Sequence, residues 1–145
     1  MIKFDPNTIH NRLGLLNEYL SQLEEMQKLS ENEFLADFRN YNTVERLLQL
    51  AIETCIDTGN HLVARNSWGK PSNYREIFQI LTEQGVLSEN LGEKFQDIVG
   101  FRNILVHHYF RIDRRIVYRI LQEDLGYFEE FAKTIISSLK LSNSG

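Results

Sequence analysis

Residues 101–109 read Phe101-Arg102-Asn103-Ile104-Leu105-Val106-His107-His108-Tyr109. Their apolar positions have helical spacing, and polar residues of four types stand among them. Such side chains bind phosphate, transfer protons and offer a hydroxyl group. We therefore treat this segment as the centre of both the fold and the candidate site.

Arg102 occupies an unfavourable position on the predicted helix. With about 100° between successive residues, it lies about 20° from Leu91, inside the apolar stripe. Burying an arginine there is costly unless the guanidinium is paired, hydrogen-bonded or at a wet interface. The apolar residues within about 60° of this stripe's axis are Leu91, Phe95, Ile98, Leu105, Val106 and Tyr109.

Arg102 and His107 do not share a face of a straight helix. Five residues separate them by about 140° around the axis and about 7.5 Å along it. Three routes bring both groups to one ligand: the reach of the long Arg102 side chain, a distortion of the helix, or a second subunit. A symmetric dimer would form one composite cleft from two facing segments.

An arginine beside a histidine is suited to cutting RNA without a metal. His107 can accept or donate a proton near neutral pH, and Arg102 can stabilise charge that develops on the phosphate. The 2′-hydroxyl of the RNA would be the attacking group, so the protein needs no nucleophile. We predict Arg102 and His107 as catalytic residues. The predicted RNA- or phosphate-binding residues are Asn103, His108, Tyr109 and Arg111.

Other interpretations of these residues stay open. Arg102 can be the buried ion-pair partner of an acid on the second predicted helix, and His107 an ordinary surface residue near a helix end. Tyr109 can belong to the core. A metal site would have to combine His61, His107, His108 and Cys55, which have no compact ligand spacing, so we predict no metal and no cofactor.

The rest of the chain predicts an all-α fold, because apolar residues recur at helical spacing and no strand pattern is convincing. We expect an antiparallel bundle of four long helices and one short one. The expected helices start at Asp5-Pro6, near Asn32 or Glu33, near Tyr74, after Ser88 and after Asp113, and Gln84-Gly85 ends the short one.

Length and composition bound the class of protein. The chain has 145 residues, which predicts a single domain over 1–145. Its net charge of −4 argues against general nucleic-acid binding, although five arginines form a basic patch between Arg102 and Arg119. Because no apolar run spans a membrane and the N-terminus lacks a signal peptide, we expect a cytoplasmic protein that does not bind a membrane.

The segment from Arg102 to Tyr109 also has the pattern Arg-x4-His-x-Tyr, and several other segments accompany it in a fixed order. Together they resemble the HepT-like toxins of the HEPN superfamily, over about residues 5–140. The accompanying segments are Tyr41 to Glu45, Ile52 to Asp57, His61-Leu62, Pro71 to Glu76, Val86-Leu87 and Ile112-Asp113.

The resemblance implies an all-α homodimer with Arg102 and His107 of both chains at one cleft. It implies a metal-independent endoribonuclease toxin of a type VII toxin–antitoxin pair. The antitoxin would be a minimal nucleotidyltransferase (MNT) that transfers AMP onto Tyr109. The alternative function is a non-catalytic helical subunit that binds such a nucleotidyltransferase, because some HEPN members resemble binding modules.

Overall fold

The computed structural model describes residues 1–107 and 112–144, the last four of these by their backbone alone. These residues form helices and contain no strand, so the predicted all-α class is confirmed. The helices of the described residues are α1 (Pro6–Met26), α2 (Glu31–Ala36), α3 (Phe38–Arg65), α4 (Tyr74–Glu83), α5 (Glu89–His107), α6 (Arg114–Glu123) and α7 (Leu125–Ser144).

Four long helices are present as predicted, but the described residues form three short helices where we expected one. The second predicted helix is split at Asp37, whose backbone is extended (φ −126°, ψ 117°). The Asp37 carboxylate accepts the N–H of Arg39 and so starts α3. Ser30 and Glu33 form a reciprocal capping box, which starts α2 at Glu31, one or two residues before the predicted start near Asn32 or Glu33.

The fifth predicted helix is split at Asp124, between α6 and α7. Asp113 caps α6 as predicted, because its carboxylate accepts the N–H of Arg115 at 3.0 Å. The apolar stripe continues from Val117 in α6 to Ile135 in α7, and both residues are fully buried. Hydrophobic periodicity alone therefore did not reveal the break.

Helix α3 is the centre of the bundle and packs against each of the other six described helices. A cluster of aromatic rings fills the core between α4, α5 and α7. The ring of Phe95 lies 5.2 Å from that of Phe78 and 5.0 Å from that of Phe131, measured between centroids. Among the described residues no helix is long and apolar enough to cross a membrane.

Helices α4 and α5 approach each other closely because α5 carries glycines where they meet. A Cβ atom at Gly92 would collide with the side chain of Thr82, and one at Gly100 would collide with the guanidinium of Arg75. The first turn of α4 is thereby held against the part of α5 that leads to Arg102.

Candidate functional site

Helix α5 carries residues 101–107 of the motif in a regular α-helical conformation. Ser88 starts it as predicted: its hydroxyl accepts the N–H of Leu91 at 3.2 Å, and its carbonyl accepts the N–H of Gly92 at 2.9 Å. The helix continues without interruption to His107. No distortion brings Arg102 and His107 onto one face, so about 140° separates them within one chain.

Arg102 is held from two other helices. Its Nε and Nη2 atoms donate to Oε1 of Glu53 in α3, at 3.2 and 2.8 Å. Its guanidinium carbon lies 5.3 Å from the ring centroid of Tyr74, the first residue of α4. Nη1 is 3.5 Å from the side-chain oxygen of Asn103. Only 15% of the Arg102 side chain is exposed, so its position in the apolar stripe is explained by this pairing.

Glu53 is charged when it holds Arg102. Burial raises the pKa of its carboxyl group, but hydrogen bonds from Gln49 and Arg102 and the charges of Arg102 and Arg46 outweigh burial, so the pKa lies below its ordinary value. The side chain of Gln49 donates to Oε1 of Glu53 at 3.1 Å. The interpretation of Arg102 as the partner of an acid on the second predicted helix therefore matches the structure.

The ion pair does not use all the hydrogen-bond donors of Arg102. A guanidinium has five N–H groups in a planar fork. Glu53 accepts two of them, and Asn103 accepts a third over a longer distance. The remaining two belong to Nη1 and Nη2, which form the end of the fork that binds an oxyanion most readily. The site can therefore hold Arg102 firmly and still bind a phosphate.

His107 is the last residue of α5, and its side chain is exposed. Asn103 is also exposed, about one turn earlier. The other predicted site residues, His108, Tyr109 and Arg111, lie outside the described residues. The structure thus locates Arg102, Asn103 and His107 on one helix but brings only Arg102 and Asn103 together.

Most of the described basic patch is paired with acids. Arg114 of α6 lies 3.3 Å from Glu45 of α3, and its guanidinium carbon is 4.0 Å from the ring centroid of Tyr41. Oε2 of Glu45 and Nε of Arg114 are buried without a hydrogen-bond partner. Burial raises the pKa of Glu45 despite the charge of the nearby Arg114. Arg115 lies 4.0 Å from Glu31. The positive charge of this region is therefore smaller than the sequence suggested.

The residues proposed for a metal site have other surroundings. Cys55 is buried in the core, where burial raises the pKa of its thiol. The ring nitrogen Nε2 of His61 accepts the N–H of Asp5 at 3.0 Å. Within residues 1–107 and 112–144 no group of three or more His, Cys, Asp or Glu side chains is arranged to hold a metal ion.

Sequence reasoning missed three residues that surround Arg102: Gln49, Glu53 and Tyr74. Glu53 is 49 positions away in the chain, and only the packing of α3 against α5 brings it to Arg102. The segments Ile52 to Asp57 and Pro71 to Glu76 supported the family resemblance, but no property of a single sequence assigned them a role. One residue of each segment, Glu53 and Tyr74, contacts Arg102.

Comparison with known proteins identifies the family. The model of the ribonuclease HepT-like family matches residues 16–135. The tRNA nuclease HepT of Aphanizomenon flos-aquae is 30% identical over 139 residues, covering 96% of this chain and 95% of that protein. The mRNA nuclease HepT of Shewanella oneidensis is 28% identical over 127 residues, covering 88% and 95% of the two chains.

Solved structures agree with this result. A toxin–antitoxin complex with AMP-PNP contains a chain that is 27% identical, with a TM-score of 0.85 and coverage of 90% of this chain and 98% of that one. The tri-AMPylated Shewanella oneidensis HEPN toxin in complex with an MNT antitoxin also gives 27% identity and a TM-score of 0.85, covering 92% and 99%. The chain therefore belongs to the ribonuclease HepT-like family and is a ribonuclease of the HEPN type.

Proposed function

We propose that this protein is a metal-independent endoribonuclease toxin of a HepT/MNT toxin–antitoxin pair. It would cut RNA at a composite cleft to which two copies of the chain contribute Arg102 and His107. Its antitoxin would be a minimal nucleotidyltransferase that neutralises it by transferring AMP onto Tyr109. The relatives that are nucleases and the neighbours that are bound to antitoxins support this assignment.

The observation that carries the proposal is the arrangement around Arg102. Glu53 and Tyr74 fix the guanidinium, while two of its N–H groups remain for a phosphate oxygen. His107 is exposed at the end of the same helix. A fixed cation and an accessible proton-transfer group are the two parts that cleavage by the RNA's own 2′-hydroxyl requires.

A second copy of the chain would complete the site. The uninterrupted α5 keeps Arg102 and His107 of one chain on different faces. Ile104 lies between them in sequence and is 43% exposed, and Tyr74 beside Arg102 is 40% exposed. Apolar surface next to the motif is suited to burial in a two-fold interface, which would place Arg102 of one copy near His107 of the other.

In the proposed reaction the 2′-oxygen of a ribose attacks the adjacent phosphorus. The His107 that would lie near Arg102 of the other copy accepts the 2′-hydroxyl proton, and water donates a proton to the departing 5′-oxygen. The bond between phosphorus and the 5′-oxygen breaks, leaving a 2′,3′-cyclic phosphate and a 5′-hydroxyl. Arg102 binds the non-bridging oxygens and stabilises the charge that accumulates on them in the transition state.

The ion pair with Glu53 also favours the alternative function, a non-catalytic subunit that binds a nucleotidyltransferase. In that case Arg102 would serve only to join α5 to α3, and His107 would be an ordinary surface residue. The two functions predict different rates of RNA cleavage by purified variants of Arg102 and His107 in the absence of any antitoxin.

We expect His107→Ala and Arg102→Ala each to lower the rate of RNA cleavage by about 10²- to 10⁴-fold. Circular dichroism of both variants should match that of the wild type, and addition of EDTA should not inhibit the wild type. His10→Ala, at an exposed position of α1, is the matched control and should cleave normally. Full cleavage by a folded His107→Ala protein would support the non-catalytic function instead.

We further expect AMP on Tyr109 after incubation with the antitoxin and ATP, together with loss of cleavage. The added phosphate would occupy Arg102 and repel the RNA backbone. Peptide mass spectrometry should show the AMP increments on the peptide that contains Tyr109, and Tyr109→Phe should escape neutralisation. AMP found only on another residue would rule out this part of the proposal.

A further inference from the structure

The first turn of α4 is built to present two side chains to α5. Asn73 caps the helix by accepting the N–H of Glu76 at 3.0 Å. The Glu76 carboxylate in turn accepts the backbone N–H of Ser72 at 2.7 Å and its hydroxyl at 2.8 Å. These bonds fix the backbone of the turn. The Cα–Cβ bonds of Tyr74 and Arg75, which follow the cap, therefore have fixed directions.

Tyr74 and Arg75 reach different parts of α5. Tyr74 supports Arg102, as described above. Arg75 extends over Gly100, and its guanidinium occupies the space where a Cβ of residue 100 would stand. Arg75 is exposed, and within the described part of the chain its side chain has no ion pair and no hydrogen bond. An arginine without an acidic partner keeps all five of its N–H donors for another anion.

The face of α5 under Arg75 is the face that carries His107. Gly100, Asn103 and His107 stand at positions i, i+3 and i+7, which fall within about 60° of one another on a helix. Arg102, by contrast, is turned away from Gly100 by about 160°. Of these two arginines, it is therefore Arg75 and not Arg102 that lies on the histidine face of α5.

We propose that Arg75 is a second phosphate-binding residue, which binds the RNA backbone on the His107 face next to the phosphate that is cut. Gly100 and His107 are about 10 Å apart along α5, too far for Arg75 to reach the atoms that react at His107. Arg75 would thus bind a neighbouring phosphate and guide the strand across Asn103 to His107. The inference rests on the proposed ribonuclease function.

Gly100 would serve this role by leaving room for the arginine. Any side chain at this position would push the guanidinium of Arg75 away from α5. The displaced group is the end of a flexible side chain, so the fold can accommodate Gly100→Ala. Alanine also favours the helical conformation over glycine, so the variant should be at least as resistant to heat as the wild type.

The test measures binding of a fluorescent single-stranded RNA at several salt concentrations, with His107→Ala in every protein so that the RNA is not cut. Arg75→Ala should weaken binding about tenfold and reduce the slope of log affinity against log salt by about 0.7. Gly100→Ala should weaken binding in the same direction without loss of thermal stability. The double variant should bind no more weakly than Arg75→Ala alone, because both changes remove one contact.

Arg39→Ala is the matched control, since Arg39 is another exposed arginine but donates to Asp37 at 2.7 Å. Its affinity and salt slope should equal those of the reference protein. If Arg75→Ala also keeps the reference affinity and slope while the wild type still cleaves RNA, the role of Arg75 is overturned and the proposed function stands. A wild type that neither binds nor cleaves RNA would overturn both.

Discussion

At the scale of single residues, the contacts that hold Arg102 leave part of its guanidinium free. Glu53 and Tyr74 use one edge and one face of the guanidinium, and the remaining edge stays available. The sequence predicted that Arg102 would need a partner, because it lies in an apolar stripe. It did not identify Glu53, because the contact depends on how α3 packs against α5 across 49 residues of sequence.

The first prediction concerns Glu53→Gln. Glutamine has the shape of glutamate but no charge, so Arg102 should lose its fixed orientation while α3 keeps its packing. We expect kcat to fall about tenfold with a smaller change in KM, because orientation affects the transition state more than substrate binding. Steady-state cleavage assays would measure both constants.

Glu45→Gln is the control for Glu53→Gln. Glu45 lies on the same helix and pairs with Arg114 rather than Arg102. Its substitution should affect thermal stability but leave kcat unchanged. Equal losses of kcat in both variants would indicate that the two glutamates act only through the stability of α3.

At the scale of helices, capping residues decide where the elements begin. The sequence correctly predicted the starts at Asp5-Pro6, Ser88 and Asp113, where a polar cap precedes a new apolar stripe. It missed the break at Asp37, because the apolar stripe continues across it and no glycine or proline marks the place. Such breaks depend on tertiary packing, which allows a helix to turn without losing its buried face.

The second prediction concerns His61, which joins α3 to the start of α1 by accepting the N–H of Asp5. Burial, followed by the charge of Arg65, lowers the pKa of His61 below its ordinary value of 6.5. The unfolded chain therefore binds more protons between these two pKa values. Stability should be fully present above about pH 6.5 and should decrease as the pH falls through the folded-state pKa.

Urea unfolding between pH 5 and pH 7.5 tests this prediction. The free energy of unfolding of the wild type should rise with pH over this interval, and His61→Gln should show a smaller rise. His10→Ala, at an exposed position of α1, should follow the wild type. An identical pH dependence in His61→Gln would show that the contact to Asp5 does not govern stability here.

At the scale of the whole molecule, α5 has two functions in the bundle. Its residues Phe95 and Leu105 belong to the core, whereas Asn103 and His107 face outward at the end of the helix. The all-α class and the four long helices followed from hydrophobic periodicity. The placement of Arg102 and His107 on different faces of α5 also followed from helix geometry. Completion of the site by a second copy stays a prediction.

The measurement that tests this central claim most directly is RNA cleavage by a mixture of two inactive variants. Arg102→Ala supplies His107, and His107→Ala supplies Arg102, so a mixed dimer contains one intact group of each kind on different chains. Sedimentation should first show dimers, and exchange of labelled subunits should show that mixed dimers form. We expect the mixture to cleave RNA although each variant alone does not; a mixture that exchanges subunits and still fails to cleave would contradict a site shared between two copies.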